Sequence, residues 1–261
     1  MSQKYDDNFF SSIDGGSLAS AEVCVPIFKR LLDFNNVADI GSGTGAWSLM
    51  FSNQGCKVTA IDGRYAELNY EKYTTDDFSI NFTPKNLEDV GSLKSVPSHD
   101  LLISLEVAEH LSADRASSFV EELCNISNQI IFSAAIPYQG GTGHVNENWL
   151  QYWVKLFAQN HFKYFDPFRR LLWNNPKVKW WYKQNLCLFV QEDHIDSLDN
   201  NFVPVELEEV ISMVHPEMYI WAIHRGNKEI NNSYGKDSSY YRNILSLDFD
   251  GIYSAYGSEF S

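Results

Sequence analysis

The feature that most constrains this chain is a run of alternate glycines, Asp39-Ile40-Gly41-Ser42-Gly43-Thr44-Gly45, between two apolar segments. The residues before it, Val37 and Ala38, are typical of a buried parallel strand, and those after it fit one face of a helix. Glycines at alternate positions permit a sharp turn and let a ligand approach the main chain closely. In open α/β sheets, such turns at the carboxyl ends of strands bind small ligands.

The rest of the chain alternates short apolar runs with helix-like segments, which predicts an α/β fold with helices on both faces of the sheet. Pro26 should kink the first helix or break it in two. Strands are expected near 36–40, 57–61, 79–83, 99–105, 129–135, 162–168 and 185–191. Helices are expected near 17–34, 45–54, 65–72, 112–124 and 147–160, with one or two more in 205–223.

Two carboxylates indicate the kind of ligand. Asp39, just before the turn, would repel a phosphate but favour a cationic amino or sulfonium group. Asp62 ends the next apolar run, where a carboxylate can accept hydrogen bonds from both hydroxyls of a ribose. The pattern therefore predicts a nucleoside with a positively charged tail and no pyrophosphate.

These motifs resemble those of the class I S-adenosylmethionine-dependent methyltransferases. DIGSGTG is similar to the glycine-rich motif of the family, and AIDGRY, which contains Asp62 and Gly63, is similar to its ribose-binding motif. Asn86-Leu87 resembles the adenine position, although the family often has an acid where this chain has an amide. LLISLEVAEHL is similar to the fourth strand and the start of the next helix. The similarity extends over roughly residues 17–190.

The resemblance implies a Rossmann-like, mostly parallel sheet of seven strands whose last two strands form an antiparallel edge. It implies an S-adenosylmethionine-binding domain over 1–191, and we expect a C-terminal extension, 192–261, packed on it. S-adenosylmethionine would be the cofactor and S-adenosylhomocysteine the product, with Glu106 near the methionine part. The cofactor-binding residues would be Asp39, Gly41, Gly43, Gly45, Asp62, Gly63, Asn86, Leu87 and Glu106.

The loop after the fifth strand, residues 136–149, combines three glycines with a cluster of polar side chains. His144 is the leading candidate for a general base, because histidine takes up protons near neutral pH. Glu147 or Asn146 could orient its ring or bind the acceptor; alternatively, both only cap the helix that begins near Trp149. His110, which follows Glu106 and Glu109, is a second catalytic candidate or a structural residue. No metal site is predicted.

The segment HVNENW, residues 144–149, is similar to a loop of methyltransferases of bacterial capsule and surface-glycan biosynthesis. This narrower resemblance implies that the acceptor is a sugar or a phosphate- or phosphoramidate-bearing precursor. The stretch 169–183 mixes cations with aromatic rings, as in Arg169, Trp180 and Lys183. Such a stretch can bind a sugar phosphate, or it can pack as a connection between the last two strands.

Composition narrows the partners and the compartment. The net charge of −14 argues against nucleic acid or an anionic membrane as a partner. The apolar stretches are too short to span a bilayer, and the first ten residues are unlike a secretory signal. The four cysteines form no C-x-x-C pair and are expected to be reduced. We therefore expect a cytoplasmic protein with a small-molecule acceptor.

Other interpretations remain open. Gly41, Gly43 and Ala46 also fit a loose dinucleotide-binding motif, G-x-G-x-x-A, as in a dehydrogenase, or the turn has a structural role only. The methyl acceptor could be the nitrogen of a small amine, and the chain could be a non-catalytic cofactor-binding scaffold. A homodimer is compatible with the sequence.

Overall fold

A computed structural model of the protein describes residues 7–70, 79–198, 202–223 and 225, with residues 7–15 described by their backbone alone. Seven strands form one sheet. All seven lie where the apolar runs predict them, with ends that differ by three residues or fewer. Their bounds are β1 Asn36–Ile40, β2 Lys57–Asp62, β3 Ile80–Pro84, β4 Leu101–Leu105, β5 Gln129–Ser133, β6 Phe162–Phe165 and β7 Cys187–Gln191.

The strand order is β3-β2-β1-β4-β5-β7-β6, and β7 runs antiparallel to both of its neighbours. The remaining pairs in the order from β3 to β5 are parallel. The chain winds outward from β1 in one direction and from β4 in the other. A crevice forms at the carboxyl ends of strands where the winding reverses, which is the usual ligand site of such sheets.

Within the described residues up to 198, seven α-helices flank the sheet, together with 3-10 turns. Their bounds are α1 Asp7–Leu31, α2 Ala46–Asn53, α3 Glu67–Tyr70, α4 Ala116–Cys124, α5 Leu150–Ala158, α6 Arg169–Leu172 and α7 Trp180–Asn185. Helix α1 continues through Pro26, so the predicted break is wrong. Pro26 lies on the exposed side of the helix, whereas Val25 and Phe28 are fully buried. Packing of that buried face offsets the one backbone hydrogen bond that proline cannot donate.

Strand alternation divides the core into two layers, one on each face of the sheet. In β4, Leu102 belongs to the layer with Phe119 and Trp153, which are contributed by α4 and α5. Its neighbours along the strand face the opposite layer, which contains Phe28 of α1 and Trp47 of α2. Both faces of the sheet are therefore covered, and the predicted class I methyltransferase fold, with a Rossmann-like sheet of seven strands, is confirmed.

The chain divides into two compact units, Met1–His215 and Pro216–Ser261. The first unit continues beyond the predicted domain limit at residue 191, because the Val205 N–H donates to the Tyr164 carbonyl in β6 (2.9 Å). In the second unit, residues 216–223 are helical. Residues 226–261 of the predicted extension lie outside the described part, so its packing on the domain stays a prediction. Within the described residues, no helix combines the length and apolarity that a membrane span needs.

Candidate active site

The glycine-rich turn follows β1 and leads into α2. Gly41, Gly43 and Gly45 have φ angles of 82°, 54° and 81°, a region that glycine adopts far more readily than other residues. A Cβ on Gly41 would lie 2.2 Å from the Val107 side chain, so the turn packs closely against the loop after β4. A Cβ on Gly43 would meet no atom within 4 Å. The face of Gly43 is therefore open to a ligand, as the sequence predicts.

Asp62, at the end of β2, is buried and points back at this turn. Its Oδ2 accepts a hydrogen bond from the Gly43 N–H (2.7 Å), and its Oδ1 accepts one from the Gly63 N–H (2.6 Å). The Tyr65 hydroxyl donates a third hydrogen bond to Oδ1. Because a carboxylate has about four acceptor positions, these bonds leave room for one further donor. A ribose that used both hydroxyls here would displace Tyr65, whose side chain is half exposed.

Asp39 is only 3% exposed, and its carboxylate accepts a hydrogen bond from the Ser48 hydroxyl of α2 (2.6 Å). Burial is the main cause that raises the pKa of Asp39 to about 7. The Ser48 hydrogen bond acts in the opposite direction and lowers the pKa, whereas the nearby Asp62 charge raises it. No sequence pattern indicated Ser48 as the partner of Asp39. A contact of Asp39 with the cofactor stays a prediction.

The raised pKa of Asp39 predicts that Asp39→Asn stabilises the protein in a pH-dependent way. The folded state holds a proton on Asp39 that the unfolded state releases near pH 4, so the stability of the wild type falls between about pH 4 and pH 7. Asparagine has no such proton. At pH 4 the melting temperatures of the two proteins should be similar. At pH 8 the melting temperature of the variant should be the higher one, by roughly 2–4 °C for each kcal/mol of unfolding free energy that the substitution adds. Melting curves that differ equally at both pH values would contradict this.

Asn86 and Leu87 follow β3, as the adenine position requires. Leu87 is buried, and its carbonyl accepts a hydrogen bond from Arg115 Nε (3.0 Å). The Asn86 side chain is exposed and donates to Asp89 Oδ1 (2.8 Å). The amide can exchange this surface bond for one with a ligand at little cost, so its proposed adenine contact is compatible with the structure.

Glu106, directly after β4, is held by side chains from two distant segments. Its Oε1 accepts a hydrogen bond from Asn185 Nδ2 (3.1 Å), and its Oε2 accepts one from Gln139 Nε2 (2.7 Å). Glu106 has a φ of 57°, in a region unusual for a residue with a side chain. Burial raises the pKa of Glu106 to about 7, although the hydrogen bonds from the two amides lower it. Backbone strain and an amide cage at one carboxyl group are typical of a functional position.

The 136–149 loop is joined to the segment after β4. The Glu109 carbonyl accepts hydrogen bonds from the N–H groups of Val145 (2.8 Å) and Asn146 (3.0 Å). Glu147 closes the loop on itself, because its carboxylate accepts from the N–H groups of Tyr138 (2.9 Å) and Gly140 (2.5 Å). The loop is thus fixed by main-chain contacts, which leaves its histidine in a defined position.

His144 and His110 face each other where these two segments meet. Their rings stand edge to face with centroids 4.8 Å apart. His144 Nδ1 lies 2.9 Å from Glu147 Oε1, and His144 Nε2 lies 4.0 Å from Glu109 Oε1. The structure therefore brings together all three predicted catalytic residues, His144, His110 and Glu147, around a buried carboxylate. The alternative that Glu147 only caps α5 is not supported, because no side chain caps that helix.

Glu109 is the member of this cluster that the sequence did not single out. Its side chain is 0% exposed, and neither carboxylate oxygen has a hydrogen-bond partner. Burial raises its pKa well above the ordinary value, and the charge of Glu106 raises it further, whereas the backbone N–H groups of Glu109 and Ala135 lower it. The E-x-x-E-H spacing of Glu106, Glu109 and His110 is a signal that could have drawn attention to it.

The aromatic and basic stretch 169–183 is mainly structural. Arg169 is buried, and its guanidinium donates to Asp166 (2.6–3.0 Å) and to the Tyr164 hydroxyl (2.7 Å). Tyr182 is also buried and contacts Trp47 Nε1 through its hydroxyl (3.3 Å). Arg169 and Tyr182 are therefore engaged within the protein, and the packing interpretation holds for both. Asn185, at the end of α7 and two residues beyond this stretch, is part of the Glu106 cage, a role that sequence patterns did not indicate.

Residues 37–129 match a family model described as a methyltransferase domain. The match extends from β1 to the start of β5 and contains every predicted cofactor contact from Asp39 to Glu106. It ends before His144 and Glu147, so the second half of the methyltransferase fold, including the 136–149 loop, lies outside the matched residues. No protein of curated function matches the sequence.

Solved methyltransferase structures share this fold. A putative O-methyltransferase from Nostoc punctiforme has a TM-score of 0.54 at 10% identity, over 70% of this chain and 59% of that chain. An O-methyltransferase family protein from Burkholderia thailandensis has a TM-score of 0.51 at 10% identity, over 70% of this chain and 57% of that chain. Magnesium protoporphyrin IX methyltransferase from Synechocystis, solved with bound S-adenosylhomocysteine, has a TM-score of 0.50 at 18% identity. The match covers 70% of this chain and 87% of that chain. The chain thus spans under two thirds of the first two proteins, and the likeness concerns the fold alone.

Proposed function

We propose that this chain is an S-adenosylmethionine-dependent O-methyltransferase that acts on a small polar acceptor. The support is the juxtaposition of two features at the carboxyl ends of the central strands. One is a glycine turn with an open face at Gly43, bracketed by Asp39 and Asp62. The other is the histidine cluster in the next two loops. The first suits a nucleoside cofactor, and the second suits activation of an acceptor.

In this proposal S-adenosylmethionine is the methyl donor and supplies the electrophilic methyl carbon. The predicted cofactor contacts are Asp39, Gly41, Gly43, Gly45, Asp62, Gly63, Asn86, Leu87 and Glu106. Residues 1–191 contain all of them, so we retain this range as the cofactor-binding domain. The protein must exclude water, align the acceptor with the methyl–sulfur bond and assist removal of the hydroxyl proton.

The observation that carries the choice of an oxygen acceptor is the orientation of His144. Its hydrogen bond to the Glu147 carboxylate places the proton on Nδ1, which leaves the lone pair on Nε2. That lone pair can take the proton of a hydroxyl group. An amine acceptor would need no base held in this way, since an amine that is not protonated already has a nucleophilic lone pair.

The acceptor that we propose is a sugar or a phosphate- or phosphoramidate-bearing precursor of a capsule or surface polysaccharide. The support is the similarity of the HVNENW loop, residues 144–149, to the loops of methyltransferases from such pathways. Exposed Arg170 and Lys177 remain available to pair with a phosphate. In an acidic protein, local cations of this kind favour a small anionic acceptor over nucleic acid. We place the activity in the cytoplasm, and a homodimer stays a prediction.

Calorimetry with S-adenosylhomocysteine tests the cofactor, and we expect one site per chain. Methyl transfer is then measured by mass spectrometry on a panel of sugars, sugar phosphates, phosphoramidates and small amines. A methyl ether or ester product would support the proposal, and a methylamine product would replace it with N-methylation. Failure of the folded protein to bind S-adenosylhomocysteine would overturn it. Binding without transfer to any member of the panel would favour a non-catalytic scaffold.

A further inference from the structure

We propose that Glu109, His110 and His144 form a binding site for a divalent transition-metal cation. One ligand atom of each residue lies within 4.8 Å of those of the other two. Two of these residues come from the segment after β4 and one from the loop after β5. The site is thus assembled at the carboxyl edge of the sheet by two segments that the Glu109 carbonyl holds together.

The donor set suits a borderline metal ion. Two imidazole nitrogens and one carboxylate oxygen favour Mn²⁺, Fe²⁺, Co²⁺ or Zn²⁺ over Ca²⁺, which prefers oxygen ligands alone. Three protein ligands leave coordination positions open, as in catalytic rather than structural sites. The Glu147 carboxylate completes the arrangement, because a metal-binding histidine usually donates its other ring N–H to a carboxylate.

Glu109 provides an independent reason to place a cation here. Its carboxylate is fully buried, and no hydrogen bond of normal geometry reaches either oxygen, although the Glu109 and Ala135 N–H groups lie close enough to lower its pKa. Such burial is costly unless a positive charge or a proton compensates. Glu106 and Glu147 add further negative charge nearby. His110 and His144 are the cationic or neutral groups that face Glu109. A bound divalent cation would compensate the charge of Glu109 and reduce its repulsion with the charges of Glu106 and Glu147, whereas a proton on Glu109 would only neutralise that one group.

The spacing requires a small contraction on binding. Ligands about 2.1 Å from one ion are roughly 3.0–3.6 Å apart at tetrahedral or octahedral angles. The 4.0 Å between His144 Nε2 and Glu109 Oε1 exceeds this range by less than an ångström, and the 4.8 Å limit on the other pairs exceeds it by about one ångström. Gly141 permits the histidine ring to occupy its position, since a Cβ there would lie 2.2 Å from His144 Nε2.

The catalytic consequence rests on the proposed function, although ion binding itself does not. With the ion bound, the Nε2 lone pair is a ligand, and the ion takes over activation of the acceptor from His144. The acceptor hydroxyl binds at an open position, and its proton is released to water because the ion lowers its pKa. The oxygen then forms the bond to the methyl carbon as the methyl–sulfur bond breaks, which gives S-adenosylhomocysteine and one proton.

The test is a titration of the chelator-treated full chain with Co²⁺ and with Mn²⁺. Binding of Co²⁺ is followed by its visible absorption, and loss of free Mn²⁺ by its paramagnetic resonance signal. We expect one ion per chain. Glu109→Gln and His144→Asn should each weaken ion binding by at least about 100-fold. The reason is that loss of a residue that only orients a metal ligand already weakens metal binding by ~10–100-fold, and loss of a ligand itself should cost more. Circular dichroism establishes that the variants are folded.

The matched control is Glu192→Gln, which alters an exposed carboxylate 3.9 Å from His161 Nδ1. It should bind the ion as the wild type does. The inference is overturned if the folded wild type binds neither ion, or if Glu109→Gln and His144→Asn bind like the control. Methyl transfer that persists in chelator would overturn the catalytic role but leave the proposed function intact. Ion binding that depends on Glu109, without any methyl transfer, would support the metal site but overturn the proposed function.

Discussion

Replacing His144 with alanine should lower acceptor turnover by ~10²–10⁴-fold while leaving the affinity for S-adenosylhomocysteine unchanged. The imidazole lies between Glu147 and Glu109, and its loss would remove the group that we propose activates the acceptor, either as a base or as a metal ligand. The predicted cofactor contacts lie in β1, in β2 and in the segments that follow β1 to β4, and they do not include this ring. Single-turnover methyl transfer and calorimetry separate the two effects.

The control for this variant is His161→Asn. The His161 side chain is 81% exposed, and asparagine tolerates its φ of 62° better than alanine does. Its turnover should match the wild type. If His144→Ala turns over at the wild-type rate, His144 has no catalytic role. A parallel loss of cofactor affinity would instead indicate that the 136–149 loop supports the cofactor site.

The second large effect is expected for Asp62→Ala, which should abolish measurable binding of S-adenosylhomocysteine. The alanine variant loses the predicted ribose acceptor and also the hydrogen bond that holds Gly43 in the turn. Hydrogen bonds to a charged group contribute about 1.5–3 kcal/mol each, so loss of two predicts affinity lower by ~10²-fold or more. Calorimetry at high protein concentration measures the change.

Asp100→Ala is a matched control for Asp62→Ala. Asp100 also accepts hydrogen bonds from two main-chain N–H groups, those of Asn35 (2.8 Å) and Asn36 (3.0 Å), but it precedes β4 at the opposite end of the sheet. The Asp100→Ala variant should bind S-adenosylhomocysteine as the wild type does. If Asp62→Ala binds as tightly as Asp100→Ala does, the ribose assignment is wrong.

The positions of the strands and of most helices could be predicted from the sequence because they follow from local patterns. Strands buried on both faces appear as short apolar runs, and the glycine turn after β1 fixes where the first strand ends and α2 begins. Parallel strands place their carboxyl ends at one edge of a sheet. Asp62, Asn86, Glu106 and His144 were therefore predicted on the same edge without knowledge of any contact.

Contacts between distant segments could not be predicted in the same way. Pro26 suggests a break in α1, and only the buried face of that helix shows why it continues. Ser48, the partner of Asp39, lies in the first turn of α2, nine residues further along the chain, and no periodic pattern links the two residues. The cage of Glu106 depends on Gln139 and Asn185, which are remote from it along the chain.

The sequence by itself determined the α/β architecture and the glycine turn, and it singled out Asp62 and His144 as candidate site residues. Only the tertiary structure decided that Glu109 is buried beside His110 and His144 with no hydrogen bond of normal geometry to its carboxylate. Periodicity and turn chemistry act between neighbours in the chain, so a sequence displays them directly. The burial and charge of a carboxylate depend on which loops pack around it, and that is determined only when the sheet brings those loops together.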